Sequence, residues 1–528
     1  MTDKRENACN TLRHWHNFRL QLLMEGVAIG LISGAVVVAY RFSLEKAMHM
    51  ASYMRRLVQE NPGVVPLYLG GIVLLGVLIG WIVRLEPMVK GSGIPQVEGI
   101  LLRNMKIDWF RVILGKFIGG VLALGGGLSL GREGPSVQIG ASIGQGFGKI
   151  FKRMKLEEKY LVTSGASAGL AAAFNAPLAG VMFALEEVHK NFSPLILLPA
   201  MAASVAADFV SRKFFGQQPV FDFRIIELFP LDHYFHLIFL GVILGIFGVL
   251  FNKVMIKTQH AYARQNIIKS EFNVIIPLIF AGTAGFLMPQ ILGGGHGLIV
   301  SLMEGGLTIK MLFAILICKF AFTMLSYGSG APGGIFLPLL VIGALTGDIY
   351  GNVMAQMGII ETGYIKNLII LSMAGYFTAI VRAPITGIIL VSEMTGSFRL
   401  LLPVTIIAIA AHVTADLMGS EPIYESLLDG ILQKNPEKVE PESDKKTIIQ
   451  VIVCLGSNIE GKRIKEVNWP ANFLVVGIKR GMSEIIPEGD TQILAGDYIT
   501  ALVDEENAEE IERKLIQNTR NAIVNEAR

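Results

Sequence analysis

The chain has 528 residues, of which 52% are hydrophobic and only 17% are charged, whereas a soluble domain carries about 25% charged residues. This composition excludes a single soluble globule and, over most of the length, an intrinsically disordered chain. The net charge of +3 is too small to indicate nucleic-acid binding, and three widely separated cysteines predict neither a disulfide framework nor a zinc site.

Charged residues are concentrated near the C-terminal end. Residues 434–528 contain 30 charged side chains, against 59 in the first 433 positions. The sequence therefore predicts a membrane domain over residues 1–433, a linker over residues 434–446 that is rich in charge and proline, and a soluble domain over residues 447–528.

The first segment, Met1–Arg19, is polar and basic. It has no cleavage site of the signal-peptide type, and its Lys and Arg residues predict a cytoplasmic N-terminus. Many long apolar stretches follow, at about residues 21–40, 66–84, 110–130, 160–186, 194–210, 235–255, 274–291, 311–327, 335–350, 366–395 and 401–418. Several are broken by Gly-Gly or proline, and a membrane tolerates such breaks where they line a protein-enclosed site. The pattern predicts an all-α polytopic membrane protein with tilted and broken helices.

The membrane part contains an internal repeat. Phe174–Gly180 (FNAPLAG) precedes an apolar run that ends at Glu186 and Glu187. Val381–Gly387 (VRAPITG) precedes a similar run that ends at Glu393. The shared Ala-Pro-x-x-Gly and the trailing glutamate indicate two related halves.

A Gly/Pro cluster lies upstream of each copy, at Gly131–Pro135 (GREGP) and Gly333–Pro338 (GGIFLP). The sequence thus predicts two inverted-topology repeats, roughly residues 20–215 and 230–430, with a substrate site where they meet. Glycine-rich helix starts present free backbone N–H groups at the positive end of the helix dipole. Several such starts aimed at one point form an anion site without a full positive charge, which favours transport because the ion can leave again.

Three signatures in order give the chain a family resemblance. Gly91–Pro95 (GSGIP), Gly131–Pro135 (GREGP) and Gly334–Pro338 (GIFLP) resemble those of the CLC family of chloride channels and chloride/proton antiporters. The resemblance covers roughly residues 20–430. It implies a homodimer with one pathway per subunit, bound chloride and no other cofactor, and chloride and protons as the transported ions.

The resemblance also implies roles for individual residues. The Ser92 hydroxyl, the Tyr424 phenol and the backbone amides of Ile335 and Phe336 are expected to bind chloride. Glu133 is expected to be the gating glutamate, which occupies the pathway when ionised and swings away when protonated. An ionisable residue inside the membrane is a functional candidate by default.

A second carboxylate separates transporters from channels. Glu187 matches the internal proton-transfer glutamate of the family's antiporters, a position that is apolar in the family's channels. The adjacent Glu186 is expected to share the role of Glu187. Simpler interpretations stand beside these assignments. Glu133 and Ser92 would suit a helix start, Tyr424 an aromatic anchor at the membrane surface, and Glu187 a solvated helix end.

Three other residues are expected to be mainly structural or remain open. Glu393, the repeat mate of the proton-transfer position, is expected to be structural. Lys116 could tune the anion field or act in packing. His296, in a glycine-rich segment, is expected to be a loop residue.

The tail is predicted as a small α+β domain. Thr447–Cys454, Ala471–Gly481 and Asp490–Val503 are β-branched or alternating and are predicted to contain strands. Ile459–Val467 is predicted as a short helix-like piece, and Asp504–Gln517 as a helix because its charges match the helix dipole.

This tail resembles the C-terminal module of the RCK regulators of bacterial potassium transport. The resemblance rests on Gly461–Ile464 (GKRI), Val475–Arg480 (VVGIKR) and Ala495–Tyr498 (AGDY). No GxGxxG follows, so NAD binding is not expected, and the paired CBS domains of larger CLC proteins are not seen. In related modules a small effector such as a cyclic dinucleotide binds at a dimer interface. A folded spacer or dimer brace is the alternative.

Three functions remain open from the sequence. The first is a chloride/proton antiporter, and the second is a passive chloride channel of the same fold, voltage- or ligand-gated. In the third, the cytoplasmic tail senses a ligand and regulates transport, which is compatible with the first. An enzyme is not expected, because no nucleophile–base set or metal constellation is present.

Overall fold

The computed structural model describes residues 2–103, 105–221, 229–265, 268–434, 446–470, 473–481, 483–504 and 511, with the side chains of residues 2–19, 103, 434, 446, 447 and 504 excluded. The chain divides into two compact units, Met1–Lys438 and Val439–Arg528. Most of the predicted linker and of the predicted helix Asp504–Gln517 lies outside the described residues.

The first unit is built of helices of very unequal length. They are Thr2–Glu60 (α1), Val65–Leu85 (α2), Ile94–Arg103 (α3), Trp109–Gly125 (α4), Glu133–Ile150 (α5), Lys155–Phe174 (α6), Pro177–Phe183 (α7), Pro194–Phe215 (α8), Tyr234–Arg264 (α9), Ile275–Leu287 (α10), His296–Glu304 (α11), Ile309–Gly328 (α12), Phe336–Gln356 (α13), Ile365–Val381 (α14), Pro384–Thr395 (α15), Leu401–Leu417 (α16) and Ile423–Lys434 (α17). Within the described residues, nine helical segments are long and apolar enough to cross a membrane. The chain is therefore a multi-pass membrane protein, and the predicted fold class is confirmed.

The two halves share their local breaks. The residue directly after α6 is Asn175 with φ 54°, and the residue directly after α14 is Arg382 with φ 70°. Each break is followed by a proline in the first turn of a short helix, Pro177 in α7 and Pro384 in α15. Proline suits that position because its missing N–H would have no partner there in any case. The Ala-Pro-x-x-Gly motif of the sequence thus ends one helix and starts the next in both halves.

Close backbone contact holds the central helices together. α5 packs on α6 so tightly that a Cβ on Gly140 would lie 2.1 Å from the Gly165 carbonyl oxygen. In the second half, a Cβ on Gly343 of α13 would lie 2.6 Å from the Ser372 carbonyl oxygen of α14. Small residues at such crossings allow helices to pack without large side chains between them. These two pairs form the buried centre of the first unit.

The second unit contains a four-stranded antiparallel sheet in the order β1-β4-β2-β3. Its strands are Lys446–Ile452 (β1), Leu474–Arg480 (β2), Ser483–Ile485 (β3) and Tyr498–Asp504 (β4). The three strands predicted from alternation are present, and the short β3 was not predicted. Apolar side chains of β1 and β4 cover one face together with Ile511.

The helix-like piece predicted over Ile459–Val467 is wrong. Apart from one 3-10 turn at Ile464–Glu466, this segment is irregular. Gly461 takes φ 79°, and its N–H donates to the Ile493 carbonyl at 2.8 Å. The backbone therefore pairs with a distant segment instead of closing helical turns.

Candidate functional site

The three signatures meet in space, as the repeat predicts for Gly131–Pro135 and Gly334–Pro338 and as the family resemblance implies for Gly91–Pro95. Gly131 and Gly334 form an isolated antiparallel bridge, with N···O distances of 2.6 and 2.8 Å. A Cβ on Gly134 would lie 2.5 Å from Ser92 Oγ. Because the loops approach this closely, α3, α5 and α13 all begin in one buried region. The first turns of helices have N–H groups without intrahelical partners and a positive dipole end.

Ser92 lies directly before α3. Its Oγ accepts a hydrogen bond from the Ile94 N–H at 3.3 Å. The side chain therefore caps the helix, and accepting this bond leaves the hydroxyl proton available for another acceptor. The Ser92 N–H in turn donates to the Tyr327 hydroxyl at 3.4 Å. Tyr327, near the end of α12, was missed from the sequence, although it directly precedes the glycine-rich segment that leads into α13.

Tyr424 lies in the first turn of α17 and is completely buried. A fully buried ring does not fit an anchor at the membrane surface. Its phenol faces the Ser92 side chain and lies within electrostatic range of Tyr327, Glu187 and Glu133. Its hydroxyl makes no hydrogen bond of good geometry within the described part of the chain. A buried hydroxyl without a partner is costly, so it suits a place where an ion or water would bind.

Ile335 and Phe336 stand at the start of α13, and neither is exposed. The Phe336 ring packs against Phe174 and Phe377, with centroids 5.4 and 4.6 Å apart. This aromatic packing fixes the first turn of α13 and so fixes the direction of its free N–H groups. The side chains therefore supply rigidity, and the backbone supplies the donors.

Glu133 is the first residue of α5 and is completely buried. Its carboxylate faces the N–H groups of Glu133 itself and Leu337, with Arg132 and Arg41 as the nearby positive charges. Neither oxygen reaches hydrogen-bond geometry with a described residue. The carboxylate therefore lies among helix starts, where an anion would be stabilised, and would compete with an anion for that place.

Glu187 and Glu186 belong to a single π-helical turn, Ala184–Val188, that follows α7. Such turns are frequent at functional sites. Glu187 is 4% exposed, and its Oε1 has no hydrogen-bond partner in the described residues. It lies within electrostatic range of Glu98, Glu425 and Lys190. This burial does not fit a solvated charge at a helix end.

Lys190 links the acidic side chains around Glu187. Its Nζ lies 2.5 Å from Glu98 Oε1 and also pairs with Glu425. Glu98 is 1% exposed, whereas the Glu425 side chain is 46% exposed. The cluster thus extends from a buried carboxylate to an exposed one.

Glu186 is held differently from its neighbour. Its carboxylate accepts from the Ile385 N–H at 3.1 Å, from the Thr386 N–H at 2.7 Å and from the Thr386 hydroxyl at 2.7 Å. In the other half, Glu393 accepts from two first-turn N–H groups of α7 at 3.2 and 2.8 Å. Each repeat therefore caps the short helix of the other. Glu393 has the structural role expected from the sequence, and Glu186 shares it.

Two buried lysines brace equivalent loops. Lys116 of α4 donates to the carbonyl oxygens of Val89 and Gly91 at 3.0 and 2.7 Å. It therefore holds the segment that leads into Ser92. Its counterpart on α12, Lys319, was not singled out from the sequence, although a lysine within an apolar run was a usable signal.

Among the described residues of the tail, one charged side chain is buried. Asp497 is completely buried, and its carboxylate accepts from Arg480 at 2.8 and 2.7 Å and from the Leu494 N–H at 2.9 Å. Burial alone would raise the pKa of Asp497, but these hydrogen bonds hold that pKa below its usual value. In the described residues of the whole chain, no group of His, Cys, Asp and Glu is arranged to hold a metal ion.

Known proteins resemble both units. Residues 75–416 match the family model for voltage gated chloride channels, and residues 448–516 match the TrkA-C domain model. The chain is 37% identical over 429 residues to the H(+)/Cl(-) exchange transporter ClcA of Vibrio campbellii, which covers 78% of this chain and 90% of that protein. It is 35% identical over 434 residues to the transporter of the same name from Yersinia pestis, covering 79% of this chain and 89% of that protein.

Solved structures agree in fold. A slow cyanobacterial Cl-/H+ antiporter has a TM-score of 0.75 at 30% identity, covering 79% of this chain and 99% of that one. A CLC-type fluoride/proton antiporter has a TM-score of 0.64 at 22% identity, covering 77% of this chain and 97% of that one, which is a likeness of fold alone. The chain belongs to the CLC family of voltage gated chloride channels and transporters, and it carries a TrkA-C domain after its membrane part.

Proposed function

We propose that this protein is a chloride/proton antiporter that exchanges chloride for protons through a glutamate-gated pathway. The observation that carries the proposal is the Glu133 carboxylate, which is buried at the start of α5 and faces the N–H groups of Glu133 itself and of Leu337 at the start of α13. A single carboxylate there couples the two ions, because its ionised form competes with chloride and its protonated form does not. The names of the relatives and of the cyanobacterial structure support the same activity.

The anion would bind between neutral donors. We assign it the hydroxyls of Ser92 and Tyr424 and the backbone N–H groups of Ile335 and Phe336. The Tyr424 phenol faces Ser92, and both side chains are buried. Neutral hydrogen-bond donors stabilise chloride without the strong attraction of a full positive charge, so the ion can leave again, as transport requires. Chloride is thus the only species that we propose to be bound in the membrane unit.

The proton would travel by a separate inner branch. We assign proton transfer to Glu187, whose Oε1 is buried and has no hydrogen-bond partner in the described residues. Glu186, predicted to share the role, is committed to three hydrogen bonds at the start of α15. Protonation of Glu186 would weaken this cap, so the geometry favours Glu187 as the carrier.

The membrane topology, the oligomeric state and the roles of the domains are also proposals. We place the N-terminus and the tail in the cytoplasm, from the basic residues of the first segment, and propose the homodimer that the family resemblance implies. We assign residues 1–433 to transport, 434–446 to a linker and 447–528 to regulation by a small effector such as a cyclic dinucleotide. Crosslinking in the membrane tests the dimer, and effector-dependent protection of the tail from proteolysis tests the last assignment.

Purified protein in liposomes tests the activity. Vesicles are loaded with high chloride and diluted into low chloride at equal pH, with valinomycin and balanced potassium holding the membrane potential near zero. An antiporter couples chloride efflux to proton influx, so the external pH rises until an uncoupler is added. Chloride efflux without any pH change would identify the passive channel instead.

A further inference from the structure

We propose that Tyr327 is a further anion ligand, whose phenol donates a third hydroxyl hydrogen bond to the transported chloride. This inference rests on the proposed function, because it adds a residue to the chloride site assigned there. It concerns a side chain that neither the repeat nor the Gly/Pro signatures contain.

Tyr327 is held firmly against the loop that carries Ser92. The side chain is 2% exposed, and its hydroxyl accepts from the Ser92 N–H at 3.4 Å. Gly91, in the same loop, has φ +63°, and a Cβ there would lie 3.2 Å from the phenol oxygen. The ring therefore has little freedom to move, and its hydroxyl is placed beside Ser92 before any ion arrives.

The phenol retains an unused donor. A tyrosine hydroxyl can donate one hydrogen bond and accept others, and the bond from Ser92 uses only its acceptor side. No described residue accepts from the Tyr327 O–H in return. The Tyr424 hydroxyl, within electrostatic range of Tyr327, faces the Ser92 side chain but makes no hydrogen bond of good geometry with a described residue. Two buried phenols thus bring free protons to the loop of Ser92, which is costly unless an acceptor binds there.

An additional hydroxyl would affect selectivity as well as affinity. Chloride concentrates its charge more than thiocyanate does, and it accepts stronger hydrogen bonds. Removing one hydrogen-bond donor should therefore weaken the binding of chloride more than the binding of thiocyanate. A residue that only positioned the Ser92 loop would instead change the binding of both anions by a similar factor.

The test measures anion binding to the purified full-length chain by isothermal titration calorimetry, for wild type, Tyr327→Phe and Tyr262→Phe. Tyr262 is the matched control, because it packs on the end of the same helix but donates to the Leu325 carbonyl at 3.2 Å. We expect Tyr327→Phe to weaken chloride binding by about five- to tenfold. The affinity of Tyr327→Phe for thiocyanate should change by less than about twofold, and Tyr262→Phe should bind both anions as wild type does.

A fluorinated tyrosine distinguishes the donor role of the phenol from its acceptor role and keeps the ring and the hydroxyl in place. Replacement of Tyr327 by 3-fluorotyrosine, introduced by stop-codon suppression, makes the phenol a better donor and a poorer acceptor. Chloride should bind more tightly if the phenol donates to it, and no more tightly if its task is to accept from Ser92. This variant also serves if Tyr327→Phe fails to fold.

Unchanged chloride affinity in Tyr327→Phe, an equal loss for both anions, or no gain with 3-fluorotyrosine would overturn the inference. If these outcomes occur while wild type binds chloride, the proposed function stands and only the role of Tyr327 is lost. If wild type itself binds no chloride, the proposed function and this inference are overturned together.

Discussion

Lys116 and Lys319 make the same contacts in the two halves of the membrane unit. Both are completely buried, and each Nζ donates to two backbone carbonyl oxygens, of Val89 and Gly91 or of Ile291 and Gly293. The first loop continues into Ser92, whereas the second continues into α11. The two lysines therefore share one structural task, and only one of them supports the proposed anion site.

Replacing each lysine by methionine should separate stability from binding. Both variants leave two buried carbonyl groups without a donor, which costs about 1–3 kcal/mol. Thermal unfolding in detergent should show a similar loss of stability for Lys116→Met and Lys319→Met. Chloride titration should show weaker binding for Lys116→Met alone, and an equal loss in both variants would contradict the assignment.

Glu133→Gln should uncouple the two ions. The amide has no charge, so it cannot compete as an anion or carry a proton. Chloride flux in liposomes should persist, while chloride-driven proton uptake should disappear. Proton uptake at the wild-type rate would exclude Glu133 as the gate.

Glu187→Gln and Glu186→Gln form a matched pair on adjacent residues. Loss of the Glu187 carboxylate should stop proton movement while chloride still passes. Glu186→Gln should keep the coupling but lose about 1 kcal/mol of stability, because an amide replaces the carboxylate that caps α15. Normal proton pumping by Glu187→Gln, or lost coupling in Glu186→Gln, would reverse the assignment.

The meeting of GREGP and GIFLP could be predicted from the sequence, because paired broken helices imply a shared site, whereas the place of GSGIP was implied by the family resemblance. Three features could not. The reciprocal caps of Glu186 and Glu393 depend on where α7 and α15 lie relative to each other, which no local pattern encodes. The contact of Tyr327 with Ser92 joins residues 235 positions apart, and a tyrosine in an apolar helix looks like ordinary packing. Likewise, the irregular segment after β1 is set by its distant partner Ile493.

The tail should lose stability in acid through Asp497. Since the folded-state pKa of Asp497 lies below its usual value, its stabilising effect is complete above about pH 4 and is lost as the pH falls through the folded pKa. Asp497→Asn should cost about 1–2 kcal/mol at neutral pH, because Arg480 is partly exposed. The same variant should also lose this acid sensitivity.

Trp469 reports unfolding of the tail. Its indole donates to the Ile464 carbonyl at 2.8 Å and its ring stacks on Phe473. Urea titrations would follow its fluorescence in full-length protein whose other tryptophans are replaced by phenylalanine. An unchanged midpoint for Asp497→Asn at pH 7 would show that the buried pair with Arg480 contributes nothing to stability.

Exchange of chloride for protons is tested most directly in the reverse direction. Vesicles with equal chloride on both sides receive a pH gradient, acidic inside, with the membrane potential clamped, and radioactive chloride is followed. Proton efflux should drive chloride accumulation above the external concentration, and Glu187→Gln should abolish this accumulation. Chloride that only equilibrates in wild type would contradict coupled antiport.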